Sequence, residues 1–307
     1  MEQIGPPHTR KLGTTTQFLV GGTWTPWQKP RNCLFIMILT IGAGGGGGGG
    51  LNTASGAGAQ HGGLGGGSAA IRKSFFFAPH LPDTLWVYVG LGGAGGSADV
   101  AGSNGESSCV GVLPEKNVNH LLSSANGGVG GGNGTSGGGG TGGTAATFST
   151  ECYLGGPMFG IEPIAIASFY NEHAFVAGLT ATTRTASAYS ARAVLQSGTI
   201  TLPGGNGGSW SGTTQRAGEG FAASTNSVIP AVGGGATGGG RGVDGYIVTM
   251  QPPIFTGASG GGCNSGGTGG AGGNGAPGCG GGGGGAGNGT GGAGGRGGDG
   301  LIVIAAR

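Results

Sequence analysis

The sequence predicts an all-β chain in which short apolar strands carry glycine-only extensions. Two stretches predict it. In CLFIMILTIGAGGGGGGG, residues 33–50, an apolar, β-branched-rich run at 34–41 passes without a break into seven consecutive glycines at 44–50. The junction recurs at 84–96, where Leu85, Val87 and Val89 share one face, Trp86 and Tyr88 share the other, and glycine follows at once.

Glycine occupies 86 of the 307 positions, against a usual level of about 7%. Collagen is excluded, because there is no strict Gly-X-Y period and there are only 14 prolines. A disordered linker fits poorly. Compact apolar runs at 75–77, 85–89, 246–248 and 301–304 flank the glycine tracts, and charged residues make up only 8%.

Taken in order, residues 1–22 read as a polar, irregular N-terminal arm with Pro6-Pro7 and the basic pair Arg10-Lys11, and residues 23–307 read as one glycine-rich unit. Trp24 and Trp27 pin the start of the first core strand at 34–41. Further strands are expected at 71–79, 84–89, 109–113, 161–166, 199–202, 246–250 and 301–305, with a weak helix around 168–176. Glycine tracts fall at 42–50, 56–67, 90–96, 127–143, 204–212, 233–242 and 257–300. Residues 148–202 form a glycine-poor insert. Arg241-Gly-Val-Asp244-Gly-Tyr-Ile-Val returns as Arg296-Gly-Gly-Asp299-Gly-Leu-Ile-Val. The expected role of Asp-Gly is a local turn, with Asp accepting nearby N–H groups and Gly at φ > 0.

Stretches such as GGTGGAGGNG and GTGGAGGRGGDG are close to a GGX repeat. A period of three suits an extended polyproline-II-type helix, rising about 3.1 Å per residue with no internal hydrogen bonds. Ordering each glycine costs about 1–2 kcal/mol, and each hydrogen bond returns only about 0.5–1.5 kcal/mol net. A lone tract is therefore expected to be disordered. Many tracts, anchored at their ends by a β core and bonded laterally, are expected to form an ordered bundle.

The formal net charge of +2 gives no electrostatic case for nucleic acid or anionic membrane. The N-terminus lacks an apolar h-region, and 34–43 is about half a membrane span, so neither secretion nor membrane insertion is expected. The five cysteines, Cys33, Cys109, Cys152, Cys263 and Cys279, contain no C-x-x-C pair, and the five histidines are scattered, so no metal site is expected. Small buried thiols are the favoured reading, with Cys263 and Cys279 the candidate bridge. G-x-S-x-G at 134–138 and 257–261 lacks a strand-to-helix setting. No lysine follows a glycine, so there is no P-loop, and the carboxylates form no acid/base pair. No catalytic residue and no cofactor are expected.

Gly22-Thr-Trp-Thr-Pro, the 34–50 junction, LPDTLWVYVGLGG at 81–93 and the closing GGRGGDGLIVIAAR resemble the glycine-rich domain of bacteriophage tail-fibre adhesins. The order of these motifs is also similar to the glycine-rich region of the anaplastic lymphoma kinase receptor family. The resemblance covers roughly 20–100 and 230–307, without the receptors' cysteine-rich continuation, signal peptide or membrane span. It implies an antiparallel β-sandwich, jelly-roll or TNF-like, with the tracts packed as a polyglycine-II helix bundle. It also implies a virion protein, made in the host cytoplasm, that assembles with other virion proteins and binds a host surface receptor through loops at the bundle's end.

Candidate loops are 51–60, 97–107 and 210–230, with Asn52, Gln60, His61, Asn104, Trp210 and Phe221 as candidate receptor-binding residues. The alternative is a head decoration or fibre-base protein without a receptor. Aromatics on the second face of 84–89 point to burial on both sides and to a homotrimer.

Overall fold

The computed structural model describes residues 13–53, 60–135, 175–176, 201–211, 214–220, 233–248 and 254–307. In chain order the first strands are β1 (Thr14–Phe18), β2 (Trp24–Gln28), β3 (Phe35–Ile41), β4 (Asn52–Thr53), β5 (Ile71–Phe77), β6 (Thr84–Tyr88), β7 (Ser108–Gly111) and β8 (Leu121–Ala125). They are followed by β9 (Phe175–Val176), β10 (Trp210–Ser211), β11 (Thr214–Gln215), β12 (Ile247–Val248), β13 (Ile254–Phe255), β14 (Gly287–Asn288) and β15 (Leu301–Ala306). Short 3-10 turns lie at Ala78–His80 and Val118–His120. No α-helix occurs among the described residues.

Two antiparallel sheets make a sandwich-like core. One runs β1-β15-β3-β5-β9 and the other β2-β6-β7-β8. Alternation along each strand sends one set of side chains between them. Ile36, Ile38, Ile302 and Ile304 of the first sheet meet Leu85, Val87, Val110 and Leu122 of the second. Each such side chain, fully buried, contributes about 1.5–3 kcal/mol. Where the core meets the glycine region the filling turns polar. Buried Thr40 and Ser123 share a hydrogen bond at 2.9 Å, and Ser74 donates to Ser123 at 3.5 Å.

The glycine tracts leave the core side by side and bond to one another through backbone alone. Tract 43–51 shows the rule. Gly44, Gly47 and Gly50 donate to Gly298, Gly295 and Gly292. Gly45, Gly48 and Leu51 donate to Gly67, Leu64 and His61, and Ala43, Gly46 and Gly49 donate to Glu106, Ser103 and Val100. Its carbonyls accept with the same period of three from tracts 90–99, 126–135 and 279–288. Successive N–H groups thus turn to a new neighbour at each residue and return to the first after three, the spacing of a threefold extended helix. The tract is ringed by others, and residues 41–50 are all buried.

Glycine is obligatory in such a tract for steric reasons. A Cβ on Gly44, Gly46, Gly47 or Gly49 would sit 1.8–2.1 Å from a neighbouring carbonyl oxygen. At the boundary the pattern loosens to GGX. Leu91, Ala94 and Ser97 are exposed, while Gly93 and Gly96 between them are buried.

Several expectations are revised. The arm is not irregular throughout: 14–18 form β1, paired with β15 in the register Thr14 to Ala306. Trp24 and Trp27 lie within a strand of the opposite sheet, where Trp27 is buried in the core. The strand at 121–125, with two buried serines, gave no apolar signal. The helix around 168–176 lies outside the described residues except Phe175–Val176, which is strand, as do the strand at 161–166 and Cys152. Cys263 and Cys279 form no disulfide; each accepts a backbone N–H, from Arg216 at 3.0 Å and Leu202 at 3.3 Å. Burial pushes the Cys279 thiol pKa far up. Asp244 and Asp299 accept N–H groups from other tracts, those of Asn274 and Gly92, at 2.7 Å. The glycines after them lack positive φ, so the repeat is a lateral tie and not a local turn.

These packing constraints predict a sharp contrast. Gly47→Ala, with backbone 2.1 Å from the new methyl, should cost about 3 kcal/mol or more, or prevent folding. Gly233→Ala, with nothing within 4 Å of its methyl, should stay within about 0.5 kcal/mol of the parent or exceed it. Thermal melts of the two variants check this.

Candidate functional site

The described tracts run between the sandwich and a distal end, where several of the turns that join them gather, while the turn at 277–278 joins two of them at the sandwich end, against Ile41. Tracts 90–97 and 98–106 are joined through Ala98-Asp99, tracts 256–264 and 268–276 through 265–267, and tracts 279–288 and 291–300 through Gly289-Thr290. The β10–β11 hairpin and the turn at 237–239 lie at the same end, as does β4, which pairs in parallel with β14.

The distal surface is built of amides and hydroxyls. Asp99, held at φ 62°, accepts the Asn52 N–H at 2.8 Å, and Asn133 donates its amide to the Asp99 carbonyl at 2.9 Å. Asn264 caps its own turn, accepting from the Gly266 N–H at 3.0 Å and donating to the Thr268 carbonyl at 3.1 Å. Asn288 donates to the Ser265 carbonyl at 2.9 Å, and Gln215 donates to the Ser265 hydroxyl at 2.6 Å. Side chains thus tie β4 and Asn133 to the 98–99 turn, and Asn288 and β11 to the 265–267 turn, in a polar face. Thr268, Thr290 and Val100 remain exposed on it.

The structure does not bring the six sequence-chosen residues together. Asn52 is exposed at the distal end. Gln60, His61 and Trp210 are buried; Gln60 and Trp210 bridge through their backbones, and the Trp210 ring packs on Cys263 and Ala286. Asn104 lies along the side of the bundle, where its Oδ1 accepts the Gly130 N–H at 2.9 Å. Phe221 lies outside the described residues. Of 97–107 only 97–100 forms a turn at the tip; the rest is tract. The missed residues, Asn264, Ser265, Thr268, Asn288 and Thr290, sit where GGX is interrupted by Asn or Thr next to non-repeating positions, a signal that glycine counting passes over.

Among the described residues no group of His, Cys, Asp or Glu could hold a metal ion, and no helix is long and apolar enough to cross a membrane. A groove of about 300 Å³ by Leu19, Asn274 and Pro277 is crossed by the Arg296–Asp299 ion pair, and Asp299 already holds the Gly92 N–H. A second polar cluster guards the root of tract 90–97. Tyr88 donates to Glu106 at 2.6 Å, Glu106 also accepts the Leu91 N–H at 3.3 Å, and Lys116 lies 3.9 Å over the Tyr88 ring. Burial, reinforced by Glu106, pushes the Tyr88 pKa up to about 12. The bond from Tyr88 holds the Glu106 carboxyl below its usual range, against the opposing effect of burial.

No protein-family model matches the chain, and no curated protein matches it.

The Tyr88–Glu106 pair makes stability pH-dependent in a definite direction. The folded chain holds the Tyr88 proton more tightly than the unfolded one. That contribution is complete below the ordinary value of 10.0 and drains away as pH rises to about 12. On the acid side, Glu106 loses its contribution as pH falls through and below the ordinary carboxylate range. Tyr88→Phe should remove the alkaline loss due to this pair, read as a flatter alkaline limb in melting temperature against pH.

Proposed function

We propose that the chain is a bacteriophage virion protein of the tail-fibre or tail-tip kind, in which a polyglycine-II bundle holds a polar distal face toward a host surface receptor. The sandwich, jelly-roll or TNF-like in this reading, is the mount, and the role is recognition without catalysis or a cofactor. The observation that carries the reading is the gathering of several joining turns at one end, with amides and hydroxyls tying β4 to the 98–99 turn and the 265–267 turn to Asn288 and Gln215. A rigid face opposite a β mount suits binding, because little conformational freedom is lost on contact.

A second reading rests on a separate observation. On the first sheet's outer face Phe35 is 44% exposed, and Leu34 beside it is 56% exposed. A head decoration or fibre-base protein would use such a face for virion contacts. In both readings the protein sits on the particle among other virion proteins. On the second face of β6, from which a trimer was expected, Trp24 and Lys116 of the same chain partly cover Tyr88.

Immunogold labelling of intact particles separates the two readings. Label at the distal end of the tail is the expected result; label spread over the head would contradict receptor binding and favour decoration. Purified protein should also compete with particles for adsorption. Thr268→Arg/Thr290→Arg at the tip should weaken that competition about tenfold or more, by setting bulk and charge against a neutral contact. Ala293→Arg on the bundle's side should leave it unchanged.

A further inference from the structure

The four outer edges of the two sheets are not treated alike. β2 carries Pro26, which has no N–H to offer an added strand. β8 is buried along its whole length. β9 stands at the far edge of the first sheet. β1 has none of these protections among the described residues. Thr14, Thr15 and Gln17 are exposed, and the strand TTTQF has no charge, proline or bulge. Leu19 and Val20, directly after it, are 55% and 83% exposed. An open, uncharged edge beside exposed apolar residues is a template for strand addition.

We propose that β1 pairs with β1 of a second copy of this chain, antiparallel about a two-fold axis, so that the two five-stranded sheets join into one. The choice of a second copy rests on self-complementarity. A two-fold antiparallel pairing sets each residue against the one equally far on the other side of the axis, so the strand has to suit its own reversed sequence. TTTQF does so without any charge that could be repelled across the axis. Centred on Thr16, the pairing sets Thr15 against Gln17 of the second copy and Thr16 against Thr16, combinations that favour cross-strand hydrogen bonding. Side-chain directions agree. Thr16 accepts from the Trp27 indole at 3.3 Å and Phe18 packs on the core, so both face the other sheet. Thr15 and Gln17 pair with Ala305 and Val303 on the outer face, where substitution leaves the core intact. The pairing is two-fold, in place of the trimer that the sequence pointed to.

Sedimentation equilibrium of the full chain tests this with two charge variants. The parent should dimerise at micromolar concentration. Thr15→Lys/Gln17→Lys sets four ammonium groups across the axis and should raise the dissociation constant about tenfold or more. Thr15→Lys/Gln17→Glu sets each lysine against a glutamate of the other copy and should restore dimerisation, more so at low salt. Unchanged circular dichroism in both variants shows that the fold is kept. A monomeric parent would overturn the proposal and leave β1 as an edge for a foreign strand. A dimer indifferent to both variants would also overturn it, by placing the contact elsewhere.

Discussion

The structure depends on one steric condition: two backbones can approach closely enough to bond along their whole length only where no Cβ stands between them. Tract 43–51 meets it at every residue from Gly44 to Gly50, each with a carbonyl oxygen about where a methyl would be. Once it is met, each residue offers one N–H and one C=O to different neighbours, and the period of three distributes those bonds around the tract. Burial inside the bundle removes competing water and makes an unpaired backbone group costly. The tracts therefore hold one another in register, although glycine has more conformational freedom to lose than any other residue.

The same condition creates a boundary problem, which side-chain oxygens solve. A peripheral tract lacks a neighbour on one side, and its N–H groups there need acceptors. Asn104 accepts from Gly130, Asp299 from Gly92 and Asp244 from Asn274, all at 2.7–2.9 Å. Asn274 in turn accepts the Arg296 N–H at 2.9 Å, so the ties run across adjacent tracts as a belt. Short polar side chains reach the position a neighbouring carbonyl would fill. The remaining X positions of GGX, such as Ala94 and Leu91, point outward and obstruct the approach of another tract. Here they do for a glycine bundle what charges and prolines do for a sheet edge.

Much of this was legible in the sequence because each level leaves its own period. The glycine runs and their near-GGX period marked threefold extended tracts bonded laterally, and the apolar run at 34–41 and the alternation at 84–89 marked strands that feed them. What was illegible depends on partners distant in sequence. β1 reads as a polar tail because its strand partner is β15, nearly the whole chain away. β8 reads as a loop because Ser123 finds its partners on β3 and β5 of the facing sheet. The Arg-Gly-x-Asp-Gly repeat looked like a turn, while its aspartates reach across to other tracts. Trp210 was chosen for its size, and size is what buries it against Cys263 and Ala286.

The central claim is that glycine amides with no side chains around them are ordered by lateral hydrogen bonds. Residue-resolved amide hydrogen exchange tests it most directly. The amides of 44–50 and 280–285 should be protected to the same degree as those of β3 and β15, because tract and sheet open together. Exchange of those glycines at the rate of an unstructured chain, beside protected strands, would contradict the account and leave only the sandwich folded.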